Sequence, residues 1–101
     1  MNGWLRGPMP TISVFYGIAI QMFHRDHVPP HIHAKYQGFE GRIRIDNGEV
    51  LRGSLPATAR RLVKRWVLRY KTELEANWTH GRELEPFERI PGLQDDQDNA
   101  D

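Results

Sequence analysis

The sequence predicts an α+β fold in which an antiparallel β-meander of four to five strands packs on one long C-terminal helix. The prediction rests on short runs of alternating apolar and polar residues, an Asn-Gly pair between two such runs, and a later stretch of helical period. With 101 residues, 39% of them hydrophobic, the chain has the size of one small domain. We expect a single domain over residues 9–93, a flexible extension at 1–8 and a disordered acidic tail at 94–101.

Alternating runs in the first half of the chain predict the strands. TISVF (11–15) and GIAIQMF (17–23) are β-branched and aromatic, and the short break between them indicates two paired strands. HIHAKY (31–36) and GRIRID (41–46) repeat the alternation. One face of these two runs is expected to join the core and consists of Ile32, Ala34, Tyr36, Ile43 and Ile45. The opposite face consists of His31, His33, Lys35, Arg42, Arg44 and Asp46.

The Asn-Gly pair in DNGE (46–49) predicts a two-residue hairpin turn of type I′, because both central positions of that turn need positive φ. A short strand at residues 49–51 should follow it. Near the end of the chain, PFERI (86–90) is expected to form one more edge strand.

A pattern of helical period runs from about Ala57 to Trp78. Ser54 offers an N-cap and Pro56 an early proline for this helix. Its apolar arc consists of Ala59, Leu62, Val63, Trp66, Val67, Tyr70, Leu74 and Asn77. Its other side carries Arg60, Arg61, Lys64, Arg65, Arg69 and Lys71. We therefore expect the helix to cover the inner face of the sheet and to turn a basic side to solvent.

Composition excludes several classes of protein. No run approaches the roughly 18 apolar residues of a membrane span, and the N-terminal residues lack the order of a secretory signal. These features favour a cytoplasmic protein with no membrane partner. Because the chain has no cysteine, disulfide frameworks and thiolate metal sites are excluded, and any metal would need His, Asp or Glu ligands.

The formal net charge of +1 is unevenly distributed. The tail QDDQDNAD holds four of the 13 acidic residues and no basic one. Residues 1–93 therefore contain 14 basic and nine acidic residues, which gives them a net charge of +5. A moderately basic surface of this kind favours RNA, DNA or an acidic protein as partner.

HVPPHIH (27–33) is the main candidate for a catalytic or metal-binding site, because it contains three of the five histidines. His31 and His33 should point to the same side of a strand with Cβ atoms roughly 6–7 Å apart. At that spacing they could bind one metal ion, with Asp26 or His27 as a third ligand. Alternatively, they could act as general acid and base in RNA cleavage without metal, or play a structural role on a half-exposed face.

Arg42 and Arg44 share the face of these histidines and are expected to lie beside them, where they could hold a phosphate. Lys35 and the pair Asp26 and His27 are further candidate binding residues. The basic helix offers another candidate surface for nucleic acid at Arg60, Lys64 and Arg65, although exposed helix faces are usually charged without any such role.

Several motifs in order carry a resemblance to a known family: MPTISVFYGIAIQMF, DHVPPHIHAKY, GRIRIDNGEVLRGSLP and a helix ending ELEANW. Together they resemble the prokaryotic DhiT-like toxin family of type II toxin-antitoxin modules, which is also catalogued as a small domain of unknown function with a DHxPPHxH motif. The resemblance covers about residues 9–93. The residues that match the family's motifs are Asp26, His27, Pro29, Pro30, His31, His33, Asp46, Gly48, Glu49, Asn77 and Trp78. The eight residues ahead of Met9 and the acidic tail depart from the family pattern.

The resemblance implies a toxin-like protein neutralised by a small antitoxin protein that is encoded next to it. We expect it to act on RNA or the ribosome through His31, His33, Arg42 and Arg44, by metal-independent RNA cleavage if it is an enzyme, and without a cofactor. Two alternatives remain. One is a non-catalytic regulatory module that binds nucleic acid or protein, and the other is a metal-binding protein with Asp26, His27, His31 and His33 as ligands.

Overall fold

A computed structural model describes residues 10–94 and confirms the α+β class. The predicted extension at residues 1–8 and residues 95–101 of the predicted tail lie outside the described part. The five strands of the described chain are β1 (Thr11–Phe15), β2 (Ile18–Gln21), β3 (His31–Tyr36), β4 (Phe39–Arg44) and β5 (Val50–Gly53). They form one antiparallel sheet in the order β1-β2-β3-β4-β5, so each strand pairs only with its neighbours in sequence.

Two tight hairpins hold the register of the first four strands. Phe15 pairs with Ile18, and Tyr16 and Gly17 between them have φ of 50° and 78°. Likewise, the β3–β4 hairpin closes over Gln37 and Gly38, with φ of 47° and 85°. Positive φ at both central residues is the requirement of a type I′ turn, whose twist matches that of the flanking strands.

The hairpin at Asn47-Gly48 forms as expected, but the predicted turn type is wrong. Residues 45–49 make a wider loop, in which only Gly48 has positive φ, at 74°. The Gly48 N–H donates to the Arg44 carbonyl at 2.9 Å, and the Arg44 N–H donates to the Glu49 carbonyl at 2.9 Å. The Asn47 side chain accepts from the Glu49 N–H, which gives Asn47 a local partner without a left-handed backbone. The following strand then runs from Val50 to Gly53 rather than over residues 49–51.

The predicted single long helix is two helices, α1 (Ala57–Arg69) and α2 (Lys71–Arg82), separated by Tyr70 with φ −110° and ψ 28°. Hydrogen bonds from Tyr70 N–H to the Trp66 carbonyl and from Leu74 N–H to the Tyr70 carbonyl still cross this point. The apolar period of the sequence also continues across Tyr70, so the sequence pattern does not reveal the break between the helices. Neither helix of residues 10–94 combines the length and apolarity of a membrane crossing.

The predicted serine cap of the first helix is also wrong. Pro56 occupies the N-cap position, and no side chain caps the helix there. Ser54 instead follows the last residue of β5, and its N–H donates to the Glu40 carbonyl of β4 at 3.1 Å.

The core lies between one face of the sheet and the two helices. Ile20, Ile32 and Ile43 are fully buried on the sheet side, as the alternation predicts. Trp66 is the largest fully buried side chain of residues 10–94. Its ring centroid lies 5.3 Å from that of Phe15, and its indole N–H donates to the Pro91 carbonyl at 2.8 Å. This packing places α1 across the sheet and leaves its basic side in solvent.

Residues 86–90 follow the edge of β1 but do not form the predicted strand. The Ile90 N–H donates to the Ile12 carbonyl at 2.9 Å. Asn77, fully buried on α2, accepts from the Glu88 N–H at 2.8 Å and donates to the Glu88 carbonyl at 2.9 Å. The backbone groups of Glu88 are thus satisfied by a side chain, and Pro86 has no N–H to offer a neighbouring strand.

Candidate functional site

The strand register brings the predicted site residues together. His31 pairs with Arg44 and His33 pairs with Arg42 across β3 and β4, and all four side chains belong to the face opposite the isoleucine core. However, both histidines are only 2% exposed, whereas a half-exposed face was expected for a structural role. Elements other than α1, which packs on the core face, must cover them.

The β2–β3 loop and α2 cover the two imidazoles. Phe23 meets His33 edge to face, with ring centroids 5.0 Å apart and planes at 85°. Trp78 of α2 lies 5.6 Å from His31 between ring centroids. The loop is joined to α2 by the Arg25 N–H, which donates to the Gly81 carbonyl at 3.2 Å. A second buried cluster therefore forms where the loop returns over the start of β3.

Asp26 is the acidic member of this cluster. Its Oδ2 lies 2.9 Å from His33 Nε2 and 3.1 Å from His31 Nε2, and its Oδ1 accepts from the His27 N–H at 2.8 Å. Burial raises the pKa of Asp26, but the hydrogen bonds from His33 and the His27 N–H and the charges of His31 and His33 together bring that pKa below its usual value. The carboxylate is thus held ionised between two imidazoles.

The proton positions in this cluster follow from the partners. His31 Nδ1 lies 2.8 Å from the Pro29 carbonyl, which can only accept, so Nδ1 carries a proton. His33 Nδ1 lies 3.6 Å from Glu40 Oε2, beyond hydrogen-bond distance. His31 Nε2 and His33 Nδ1 are buried and make no hydrogen bond within residues 10–94, although His31 Nε2 lies 3.1 Å from Asp26 Oδ2.

A cleft of about 590 Å³ opens beside His33. Asp26, His33 and Glu40 form part of its wall, and three cationic side chains surround it: Arg25, Lys35 and Arg42. Among residues 10–94, none of these three has a side-chain hydrogen bond or ion pair. The cleft therefore places three cationic side chains without ion-pair partners in the described chain near the hydrogen-bonded Asp26 and His33.

Other predicted site residues lie elsewhere or have partners. Arg44 donates to both carboxylate oxygens of Asp46, at 2.9 and 2.7 Å, and does not line the cleft. Lys64 donates to Glu49 Oε2. Arg60 and Arg65 are exposed on α1, which packs on the other face of the sheet. His27 lines the cleft with an exposed side chain.

Sequence reasoning missed Arg25 and Glu40 as residues of the site. Arg25 directly precedes the DHVPPHIH stretch, so its place in the chain was a usable signal. Glu40 is the cross-strand partner of Lys35, a pairing that becomes visible only once the β3–β4 register is known.

The sequence model of a family described as "Domain of unknown function (DUF4160)" matches residues 17–79, which is more than half of the chain. The chain belongs to the DUF4160 family. No curated protein and no solved structure matches it. The matched range runs from β2 to α2 and includes the Asp26, His31 and His33 cluster of this DUF4160 domain. Membership bears out the resemblance to a small domain of unknown function and brings with it neither a toxin activity nor an RNA target.

Proposed function

We propose that the protein is the toxin-like component of a type II toxin-antitoxin module and that it binds an RNA-containing target in the cleft beside His33. The observation that carries this proposal is the cleft itself, which Arg25, Lys35 and Arg42 line together with the partly exposed Asp26 and the buried His33. A small antitoxin protein would neutralise the toxin by covering this opening.

The charges of the cleft favour a phosphate-bearing ligand. Three cations without carboxylate partners can each replace a counterion of a nucleic-acid backbone. A volume of about 590 Å³ is within the range of small-ligand sites, which is enough for a nucleotide-sized part of an RNA chain. Glu40 adds one negative charge at the wall, which would disfavour a phosphate directly beside it.

Cleavage of the bound RNA would take place at the wall formed by Asp26 and His33. There Asp26 would orient the His33 ring, and Arg42, which lines the same cleft, would stabilise the negative charge that develops on the non-bridging phosphate oxygens. A version in which His31 and His33 share the roles of acid and base fits this geometry less well, because His31 faces Trp78 and does not line the cleft. Arg44 is likewise engaged with Asp46.

RNA binding tests the location of the site. Measured by fluorescence anisotropy on a labelled single-stranded RNA, the double variant Lys35→Ala, Arg42→Ala should bind roughly 10-fold more weakly in moderate salt. The slope of log K against log salt concentration should be less negative by about 1.4, because two phosphate contacts are lost and each contributes about 0.7 to the slope.

The double variant Arg60→Ala, Arg65→Ala is the matched control, since it removes the same charge from the exposed side of α1. It should bind nearly as the wild type does. The reverse pattern would favour the alternative function, a regulatory module that holds nucleic acid with its basic helix. Equal binding by both variants and the wild type would contradict both sites.

Growth after induction tests the toxin assignment. Cells that express the wild-type chain without an antitoxin should stop dividing, whereas cells with Asp26→Asn or with Lys35→Ala, Arg42→Ala should grow at matched soluble protein levels. Arrest by all variants would move the activity away from the cleft. Continued growth with the wild type would remove the toxin proposal.

A further inference from the structure

We infer that Asp26, His31 and His33 form a binding site for one divalent transition-metal ion of the zinc class, with Asp26 Oδ2, His31 Nε2 and His33 Nε2 as ligand atoms. This inference goes beyond the proposed function and does not depend on RNA being the ligand of the cleft. In the metal-bound form, bonds to the ion would replace the Asp26–His33 hydrogen bond. It rests on the spacing of the ligand atoms, the proton positions in the two rings and the groups behind those rings.

The spacing suits a single ion. One ligand atom from each of the three residues lies within 4.8 Å of the other two. Tetrahedral zinc with bonds of about 2.0 Å holds neighbouring ligand atoms about 3.3 Å apart. The Asp26 oxygen is 2.9 and 3.1 Å from the two Nε2 atoms. Spreading these two pairs by about 0.2 to 0.4 Å, with the two Nε2 atoms brought to about 3.3 Å from each other, would admit the ion.

Because the proton of a neutral His31 ring is on Nδ1, no proton lies between His31 Nε2 and the Asp26 carboxylate. With Nδ1 donating to the Pro29 carbonyl, the neutral ring leaves Nε2 as an acceptor only, 3.1 Å from the Asp26 carboxylate and without a hydrogen bond to it. Two acceptors facing each other repel unless a cation lies between them. His31 Nε2 is buried and has no hydrogen-bond partner in the described chain, and a metal ion would satisfy it.

Both rings have an acceptor behind them, as metal-binding histidines usually do. The Pro29 carbonyl holds His31, and the Glu40 carboxylate lies 3.6 Å from His33 Nδ1, close enough to accept from it after a small side-chain rotation. Glu40 is exposed, so this rotation meets little resistance. On metal binding the His33 proton would move from Nε2, which donates it to Asp26 in the metal-free protein, to Nδ1, where Glu40 would accept it. Both Nε2 atoms would then be able to bind the ion.

The ligand set indicates the class of ion. Two imidazoles and one carboxylate suit Zn²⁺, Fe²⁺, Mn²⁺ or Co²⁺, whereas Mg²⁺ and Ca²⁺ prefer oxygen ligands alone. His27 is not a ligand, because its side chain is exposed and lies outside the cluster. Three protein ligands are typical of zinc sites that keep a position for water, and Asp26 and His33 also line the cleft.

Zinc binding to the full chain, purified without an affinity tag, tests the site. Elemental analysis and titration of the chelator-treated protein with Zn²⁺ against a chromophoric competitor should give one equivalent of zinc. Zinc at about 100 times Kd should raise the Tm by at least about 5 °C, and the same concentration of Mg²⁺ should not. Asp26→Asn keeps the size of the side chain and should weaken zinc binding by at least about 100-fold, since loss of a direct ligand exceeds the usual effect of groups behind the ligands.

His27→Ala is the matched control, because it removes a neighbouring imidazole that is not a ligand and leaves the backbone hydrogen bond to Asp26 in place. It should bind zinc as tightly as the wild type. Wild-type protein that takes up less than about 0.1 equivalent and gains no stability from zinc would overturn the inference. So would an Asp26→Asn protein that is folded by circular dichroism and keeps wild-type affinity, or a His27→Ala protein weakened to the same degree as Asp26→Asn.

Discussion

Replacing Trp66 with alanine is expected to lower the free energy of unfolding by about 3 to 5 kcal/mol. Trp66 is fully buried, packs on Phe15 and donates to the Pro91 carbonyl. The variant would therefore lose the largest buried side chain, open a cavity between α1 and the sheet and leave the Pro91 carbonyl without this donor. Much of the stability of a domain of this size would be lost.

Urea denaturation followed by far-ultraviolet circular dichroism measures this loss without relying on tryptophan fluorescence. Trp66→Phe is the matched variant, since it keeps an aromatic ring against Phe15 and removes the indole N–H. Its loss should be clearly smaller than that of Trp66→Ala. A Trp66→Ala protein within about 1 kcal/mol of the wild type would show that the described packing is wrong.

Gly53→Ala is expected to cost about 2 to 4 kcal/mol, which is large for the addition of one methyl group. Gly53 has φ of +79°, and a Cβ atom there would lie 2.3 Å from the Glu40 carbonyl oxygen. That oxygen also accepts from the Ser54 N–H. Both backbones would have to separate, which would disturb the β4–β5 pairing and move Glu40 relative to His33.

Gly38→Ala separates the two causes of this loss. Gly38 has a similar φ of +85°, but nothing lies within 4 Å of an added Cβ atom. Its substitution should therefore show only the cost of the left-handed backbone, about 1 kcal/mol. Denaturation of both variants under the same conditions gives the steric part as the difference, and equal losses would contradict the close approach of β4 and β5.

The fold was predictable to the extent that it depends on period and turn residues. Alternation placed Ile32 and Ile43 on the core face, and Tyr16-Gly17 marked a turn between paired strands. The break at Tyr70 was not predictable, because the helical hydrogen bonds and the apolar period continue across it. The irregular path of residues 86–90 depends on Asn77, whose contact with the Glu88 backbone joins positions 11 residues apart.

The sequence predicted which residues form the site better than it predicted their burial and their partners. The spacing of His31 and His33 indicated that they share a face, and the hairpin placed Arg42 and Arg44 beside them. Their burial could not be read from alternation, because it depends on the return of a nine-residue loop and on Trp78 from α2. Within residues 10–94, Arg44 is paired and Arg42 is free because Asp46, two residues beyond Arg44, accepts hydrogen bonds from Arg44.

The order of the sheet has a consequence for the time course of folding. Because every strand pairs with a neighbour in sequence, each pairing closes only a short loop, which favours rapid folding for a sheet of this size. The contact between the Tyr16 N–H and the Gln94 side chain, by contrast, joins residues 78 positions apart and carries a larger closure entropy. We therefore expect Asp26, His31 and His33 to meet when the β2–β3 hairpin closes, while the two ends of the domain are still separate. A chain emerging from the ribosome would then bring these three side chains together before its C-terminal third had been synthesised, and Trp78 of α2 would cover them afterwards.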